Sequence, residues 1–100
     1  MLTVVYRVVA KENKEKELEQ IITQFTKCAH ESAECLYYTF FQSLSDKKEF
    51  IVYYRFTNKE AQDEHIKNLH AKIGPAPKGR DLPEKFLNLL ESEELVLFKE

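Results

Sequence analysis

Residues 35–42 read CLYYTFFQ. Aromatic side chains suit a pleated, half-buried surface, so the run reads as a β-strand. A strand with one wet face alternates apolar and polar residues. Here Leu36, Tyr38 and Phe40 point one way, and Cys35, Tyr37 and Phe41 point the other. Both faces are fit for burial. A chain of 100 residues has little protein with which to cover both sides of a sheet.

The neighbouring segments set this strand in a pattern. Residues 2–10, LTVVYRVVA, are β-branched and apolar and form a first strand. Leu18, Ile21, Ile22, Phe25, Cys28, Ala29 and Ser32 then recur at helical spacing, which predicts a helix over about 14–31 with Asn13 as its N-cap. After residues 35–43, the polar SLSDKK turn leads into EFIVYYRFT at 49–57, so strands 2 and 3 make a hairpin. Asn58 can cap a second helix, KEAQDEHIKNLH. Asp81-x-x-Glu84 has the form of a capping box for a third helix, with Pro83 in its first turn. ELVLFKE at 94–100 is the fourth strand. Both glycines and all three prolines lie between positions 74 and 83. That loop reads equally as a plain connector and as a pocket rim or lid.

The order β-α-β-β-α-β, with the second α split in two, is the ferredoxin-like split βαβ motif. One α+β domain over 1–100 is expected, with a four-stranded antiparallel sheet and helices on one face. Every strand carries apolar groups on both parities: Val5 and Val9 oppose Val4, Tyr6 and Val8, and Ile51 and Tyr53 oppose Phe50, Val52, Tyr54 and Phe56. A bare apolar face of that extent is rare in monomers. Covering about 800 Å² of it at ~25 cal/mol per Å² is worth on the order of 20 kcal/mol before association costs. The expected cover is the same face of a second copy, a homodimer packed sheet to sheet.

Composition narrows the partners. Charged residues make up 32% of the chain and the net charge is −2. The basic residues are interspersed with acidic ones, so neither nucleic acid nor an anionic membrane is an expected partner. No apolar run approaches the ~20 residues of a membrane span. The start, MLTVVYRVVA, lacks a basic n-region and a cleavage site. Cys28 and Cys35 lack metal spacing and are expected as reduced thiols in a cytoplasm. No phosphate loop, nucleophile motif or metal cluster is present, and His65 and His70 are five apart, off the spacing of a helical metal pair.

Two stretches, LTVVYRVVAKENKEKELEQ and ESAECLYYTFFQSLSDKKEFIVYYRFTNKEAQDEHIKNLH, resemble the start and central run of the antibiotic biosynthesis monooxygenase family. The likeness includes Ala61, His65 and His70 on the second helix, covers about residues 1–70 well and the rest in outline. The resemblance implies a ferredoxin-like fold that dimerises through its sheets. It also implies, for some members, oxidation of quinols or aromatic phenols by dioxygen without metal or flavin. Tyr54 and Phe56 stand where the family often has Glu and Trp, and the chain has no Trp. Haem degradation, which in a related branch uses a Trp, is thereby disfavoured.

Cofactor-free oxygenation needs an apolar pocket, a partner for the substrate hydroxyl and exclusion of water. His65 lies on the inward stripe with Ile66 and Leu69 and is the candidate base. A satisfied core histidine is the competing reading. His70, near the loop, is a second candidate or a helix C-terminal residue favoured by the dipole. Tyr6, Tyr38, Tyr54 and Phe56 are candidate substrate-binding residues, or simply core aromatics. The expected activity is a monooxygenase for a small aromatic, phenolic or quinol-like ligand, with no cofactor. The alternatives are a non-catalytic ligand-binding or stress-response dimer, and a pure interaction module. The enzymatic reading asks for an apolar cavity of ~300 Å³ or more beside His65.

Overall fold

The computed structural model describes all of residues 1–100. Strands β1 (Leu2–Ala10), β2 (Cys35–Gln42), β3 (Glu49–Phe56) and β4 (Leu90–Lys99) form one antiparallel sheet in the order β2-β3-β1-β4. Helices α1 (Glu15–His30) and α2 (Lys59–Lys72) and the single turn α3 (Glu84–Leu87) complete the ferredoxin-like α+β arrangement.

Strand parity sorts the side chains as the sequence implies. On β1, Leu2, Val4, Tyr6 and Val8 are buried, and on β3 so are Phe50, Val52, Tyr54 and Phe56. They meet Leu18, Ile22, Phe25, Cys28 and Ala29 of α1 and Leu69 of α2 in one core. On the opposite face, Tyr37 packs edge-on against Tyr53, with ring centroids 5.8 Å apart. Tyr37, Phe41, Val96 and Phe98 are exposed there. The sheet is apolar on both sides, and its helices cover one.

Several local expectations need correction. Asn13 is not the cap of α1. Its φ of 64° places it in the left-handed region, which Asn tolerates, in a turn closed by the Lys14 amide donating to the Lys11 carbonyl. Lys14 occupies the cap position without a side-chain hydrogen bond. The Asp81–Glu84 capping box does not form either. The Glu84 amide donates to the Pro75 carbonyl instead, and Pro83 precedes the turn rather than lying within it. β4 begins at Leu90, four residues earlier than expected, and its pairing with β1 shifts register between Val9 and Ala10. A second shift between Cys35 and Tyr37 pairs Cys35 with Phe56. That bulge turns Cys35 toward the helix-side core and leaves Leu36 exposed, reversing the parity of the first two residues of the strand. Asn58 caps α2 as expected, its Oδ1 accepting from the Ala61 amide at 2.9 Å.

Phe86 shows why so short a helix holds its place. It is fully buried, against Phe25 at 4.8 Å and Tyr6 at 6.0 Å between ring centroids. Phe86→Ala should lower stability by about 3–5 kcal/mol, measured by urea unfolding, and should loosen the chain between α2 and β4. A loss under 1 kcal/mol would show that α3 is not anchored through this ring.

Candidate functional site

The helix layer is narrower than the sheet. α1 and α2 lie over β2, β3 and β1, while residues 91–99 of β4 are exposed. Leu95 and Leu97 pair with Tyr6 and Val4 and so face the helix side, yet each remains 49% exposed. The gap between β4 and α2 is a cleft of about 160 Å³. Tyr6 and Tyr54 line it from the sheet, Leu95 and Leu97 from β4, and Gln62 and Ile66 from α2. The connection after α2 brings Arg80, Asp81 and Leu82 to the rim, and Lys59 reaches it from the start of α2. The glycine- and proline-rich loop is therefore a pocket rim. Gly79 needs its glycine, because its φ of 81° is a conformation side chains disfavour.

Polar groups converge in this cleft. The Tyr6 hydroxyl donates to Glu93 Oε1 at 2.6 Å, and Arg80 Nη2 donates to the same oxygen at 2.7 Å. Burial pushes the Glu93 carboxyl up, but the hydrogen bonds from Tyr6 and Arg80 and the Arg80 charge outweigh it, so its pKa falls below the usual value. Burial and the Glu93 carboxylate hold the Tyr6 phenol protonated, well above the ordinary tyrosine range. Gln62 Nε2 donates to the Tyr54 hydroxyl at 3.2 Å, while Gln62 Oε1 is buried with no partner.

The candidate residues divide into two sets. Tyr6 and Tyr54 line the cleft. Tyr38, Phe56 and His65 lie beside it in the core, packed on one another. Tyr38 stacks on Tyr54 at 4.6 Å, Phe56 meets His65 at 5.3 Å, and the His65 ring stands edge-on to Tyr38 at 5.4 Å. The cavity that His65 lines is about 10 Å³, no more than one water needs, far short of a ligand site. The aromatic rings occupy the space that a substrate beside His65 would need. His70 does not reach the cleft; its Nε2 binds the Asp81 carbonyl and ties the rim to α2. Sequence reasoning missed Glu93, Arg80 and Gln62. Glu93 shares the parity of Leu95 and Leu97, and Gln62 lies three residues before His65 on the buried stripe of α2. A strand begun at Leu90 and a stripe extended one turn back would have found both.

The antibiotic biosynthesis monooxygenase model matches residues 1–73. The chain belongs to that family. No curated protein matches it. Among solved structures, protein PA3566 of Pseudomonas aeruginosa is 18% identical over 99% of this chain and 92% of its own, with a TM-score of 0.74. A Bacteroides thetaiotaomicron protein of unknown function, named a “possible oxidoreductase”, is 17% identical over 97% of this chain and 94% of its own, with a TM-score of 0.77. A structure named antibiotic biosynthesis monooxygenase is 17% identical over 100% and 98%, with a TM-score of 0.72. At these identities the structures share the fold. No group of His, Cys, Asp and Glu is placed to hold a metal ion, and no helix is long and apolar enough to cross a membrane.

His65 is 3% exposed and its Nε2 has no hydrogen-bond partner. Burial lowers its pKa from 6.5 to about 4. An unfolded histidine takes its proton near 6.5, so between those two values the unfolded chain binds more protons than the folded one. Stability must then fall as pH drops from above 6.5 toward 4. The wild-type chain should be less stable at pH 5 than at pH 7.5 by about 2 kcal/mol from this group. His65→Leu should flatten that part of the slope in urea titrations at the two pH values. An unchanged slope would mean that His65 is solvated or paired in solution.

Proposed function

We propose that this chain is a cofactor-independent monooxygenase that oxidises a single-ring phenolic or quinol-like compound with dioxygen, working as a sheet-to-sheet homodimer. The observation that carries the reading is the cleft between β4 and α2, whose apolar walls flank two tyrosine hydroxyls and an ionised Glu93. Its volume of about 160 Å³ is close to the ~150 Å³ of an engineered apolar cavity that holds benzene. A polycyclic substrate would need the rim to open.

The chemistry balances without an added reductant. A quinol and dioxygen give a hydroxyquinone and water: one oxygen atom enters the ring, the other leaves as water, and all the electrons come from the substrate. The first event is loss of a phenolic proton, because the phenolate gives up an electron far more readily than the phenol. Glu93 is placed to accept that proton, and the Arg80 guanidinium at the rim stabilises the phenolate. His65 is assigned a positioning role, a neutral ring that fixes Tyr38 and Tyr54 from behind. The bare outer face, with Tyr37, Phe41, Val96 and Phe98 exposed, supports the dimer.

A non-catalytic dimer is the second reading: the filled space around His65 favours a pure interaction module, and the cleft leaves room for ligand binding without turnover. Oxygen uptake with a panel of monocyclic quinols separates the two. The enzyme reading expects consumption of a panel member. Glu93→Gln, which keeps an acceptor for Tyr6 and Arg80, should then lower kcat by about 10²-fold or more and alter the pH–rate profile. His65→Leu, which removes the ring behind Tyr38 and Tyr54, should lower the rate less than Glu93→Gln does and leave the shape of the pH–rate profile unchanged. Binding of the panel without oxygen uptake would establish the second reading.

A further inference from the structure

The charges around the cleft are sorted to its two ends. Tyr54 pairs with Val4, and Val4 with Leu97, so the hydrogen bond between Tyr54 and Gln62 lies level with Leu97. Lys59 comes about one helical turn before Gln62 on α2, nearer the end of the sheet where Leu2 pairs with Phe56 and Lys99. Glu93 pairs with Val8 toward the other end, where Arg80 meets it. Lys99 follows Leu95 and Leu97 at strand spacing and faces the same side as they do. It is exposed and enters no ion pair. Lys59 lines the cleft and is bonded only to Asp63, in an exposed pair of the kind that contributes little. At the Glu93 end the balance is reversed: Arg80 is the one cation in the lining, beside Glu93 and Asp81. Between the ends the walls are apolar, with Ile66, Leu95 and Leu97. The strand from Glu93 to Leu97 spans about 13 Å at ~3.3 Å per residue, longer than a phenol ring and its hydroxyl.

We propose that the ligand is a phenol or quinol whose ring carries a short acidic arm opposite the hydroxyl, and that Lys59, helped by Lys99, holds the acid. The hydroxyl goes to Glu93, and the ring lies against Leu95, Leu97 and Ile66. The arm follows β4 toward the lysines, along the part of the strand that the helices leave uncovered. Charge disfavours the reversed pose, which would set the ligand carboxylate against Glu93 and Asp81. Arg80 is not free to hold the acid, because its guanidinium is given to Glu93 Oε1. Lys59 gives up only its exposed bond to Asp63, and the ligand carboxylate replaces it with a charge-assisted bond. The lysines are thus specificity residues. They favour anionic ring compounds over neutral ones, and they fix which end of the ligand meets Glu93.

The inference rests on the cleft being the ligand site of the proposed reaction, and the test keeps the two apart. Phenol, para-hydroxyphenylpropionate and the neutral carboxamide of that acid are titrated against the full chain, with backbone and side-chain NMR shifts as the readout. The acid should bind about fivefold tighter than the carboxamide at low ionic strength, and added salt should shrink the preference. Lys59→Gln should reduce it to about twofold or less, and Lys59→Gln combined with Lys99→Gln should abolish it. Carboxamide affinity should stay the same in both, which also shows that the variants are folded. Asp63→Asn, which frees Lys59, should strengthen binding of the acid, a gain that loss of structure cannot produce. The acid-reading role is overturned by equal affinity for acid and carboxamide, or by a preference that survives in the double variant. It is also overturned if the acid shifts Lys59 and Lys99 but not Tyr6 or Glu93, which would be surface ion pairing only. In each of these cases phenol shifts at Tyr6, Glu93 and Ile66 would leave the cleft standing as a ligand site. If none of the three probes shifts those residues, the cleft reading fails, and this inference with it.

Discussion

A four-stranded sheet with apolar side chains on both faces offers two surfaces for burial, and this chain carries helices enough to cover one. That shortage organises the rest of the molecule. The helix layer settles over β2, β3 and β1, where Phe50, Val52, Tyr38 and Val8 are buried. β4 is left outside it on the helix side as well as the other, with Leu95, Val96, Leu97 and Phe98 all exposed. The cleft is the direct result. It is the width of one strand that the helices fail to roof, closed in part by the chain between α2 and α3. The same shortage explains the rim: a segment with both of the chain's glycines and all its prolines can turn sharply enough to bring Arg80 to Glu93.

The polar groups follow the same division. Where the helix layer is complete, the core is closely packed, and His65 sits in it as a neutral ring among Tyr38, Tyr54 and Phe56. Where the layer stops, charges and hydroxyls appear: Tyr6, Glu93 and Arg80 in one hydrogen-bonded cluster, and Tyr54 with Gln62 in another. Tyr54 belongs to both zones, stacked on Tyr38 on one side and lining the cleft on the other. Family membership is consistent with a ligand site in such a fold, but it is the unroofed strand that says where the site lies.

Much of this was legible in the sequence. Parity placed Tyr6, Tyr38 and Tyr54 on the helix side, and all three are buried there. The doubled apolar faces of CLYYTFFQ announced the uncovered side. What could not be read was local or cooperative. The bulge between Cys35 and Tyr37 is one extra residue, with no composition signal, and it reverses the two residues before it. Asn13 has the chemistry of both a cap and a left-handed turn residue, and the turn took it. His65 does point inward, as its stripe implied, but whether the space before it holds a substrate or a ring depends on how Tyr38, Tyr54 and Phe56 pack. Periodicity carries no information about that. Glu93 was passed over because β4 was begun too late, although its alternation with Leu95 and Leu97 was present in the sequence.

The central claim is that the outer face is too apolar to stay in water and that a second copy covers it. Sedimentation equilibrium at micromolar concentration tests this most directly. The account predicts a single species of twice the chain mass, shifted to monomer by Tyr53→Lys, which puts a charge in the middle of the outer face while leaving the helix-side core intact. A wild-type chain that sediments as a clean monomer would contradict it.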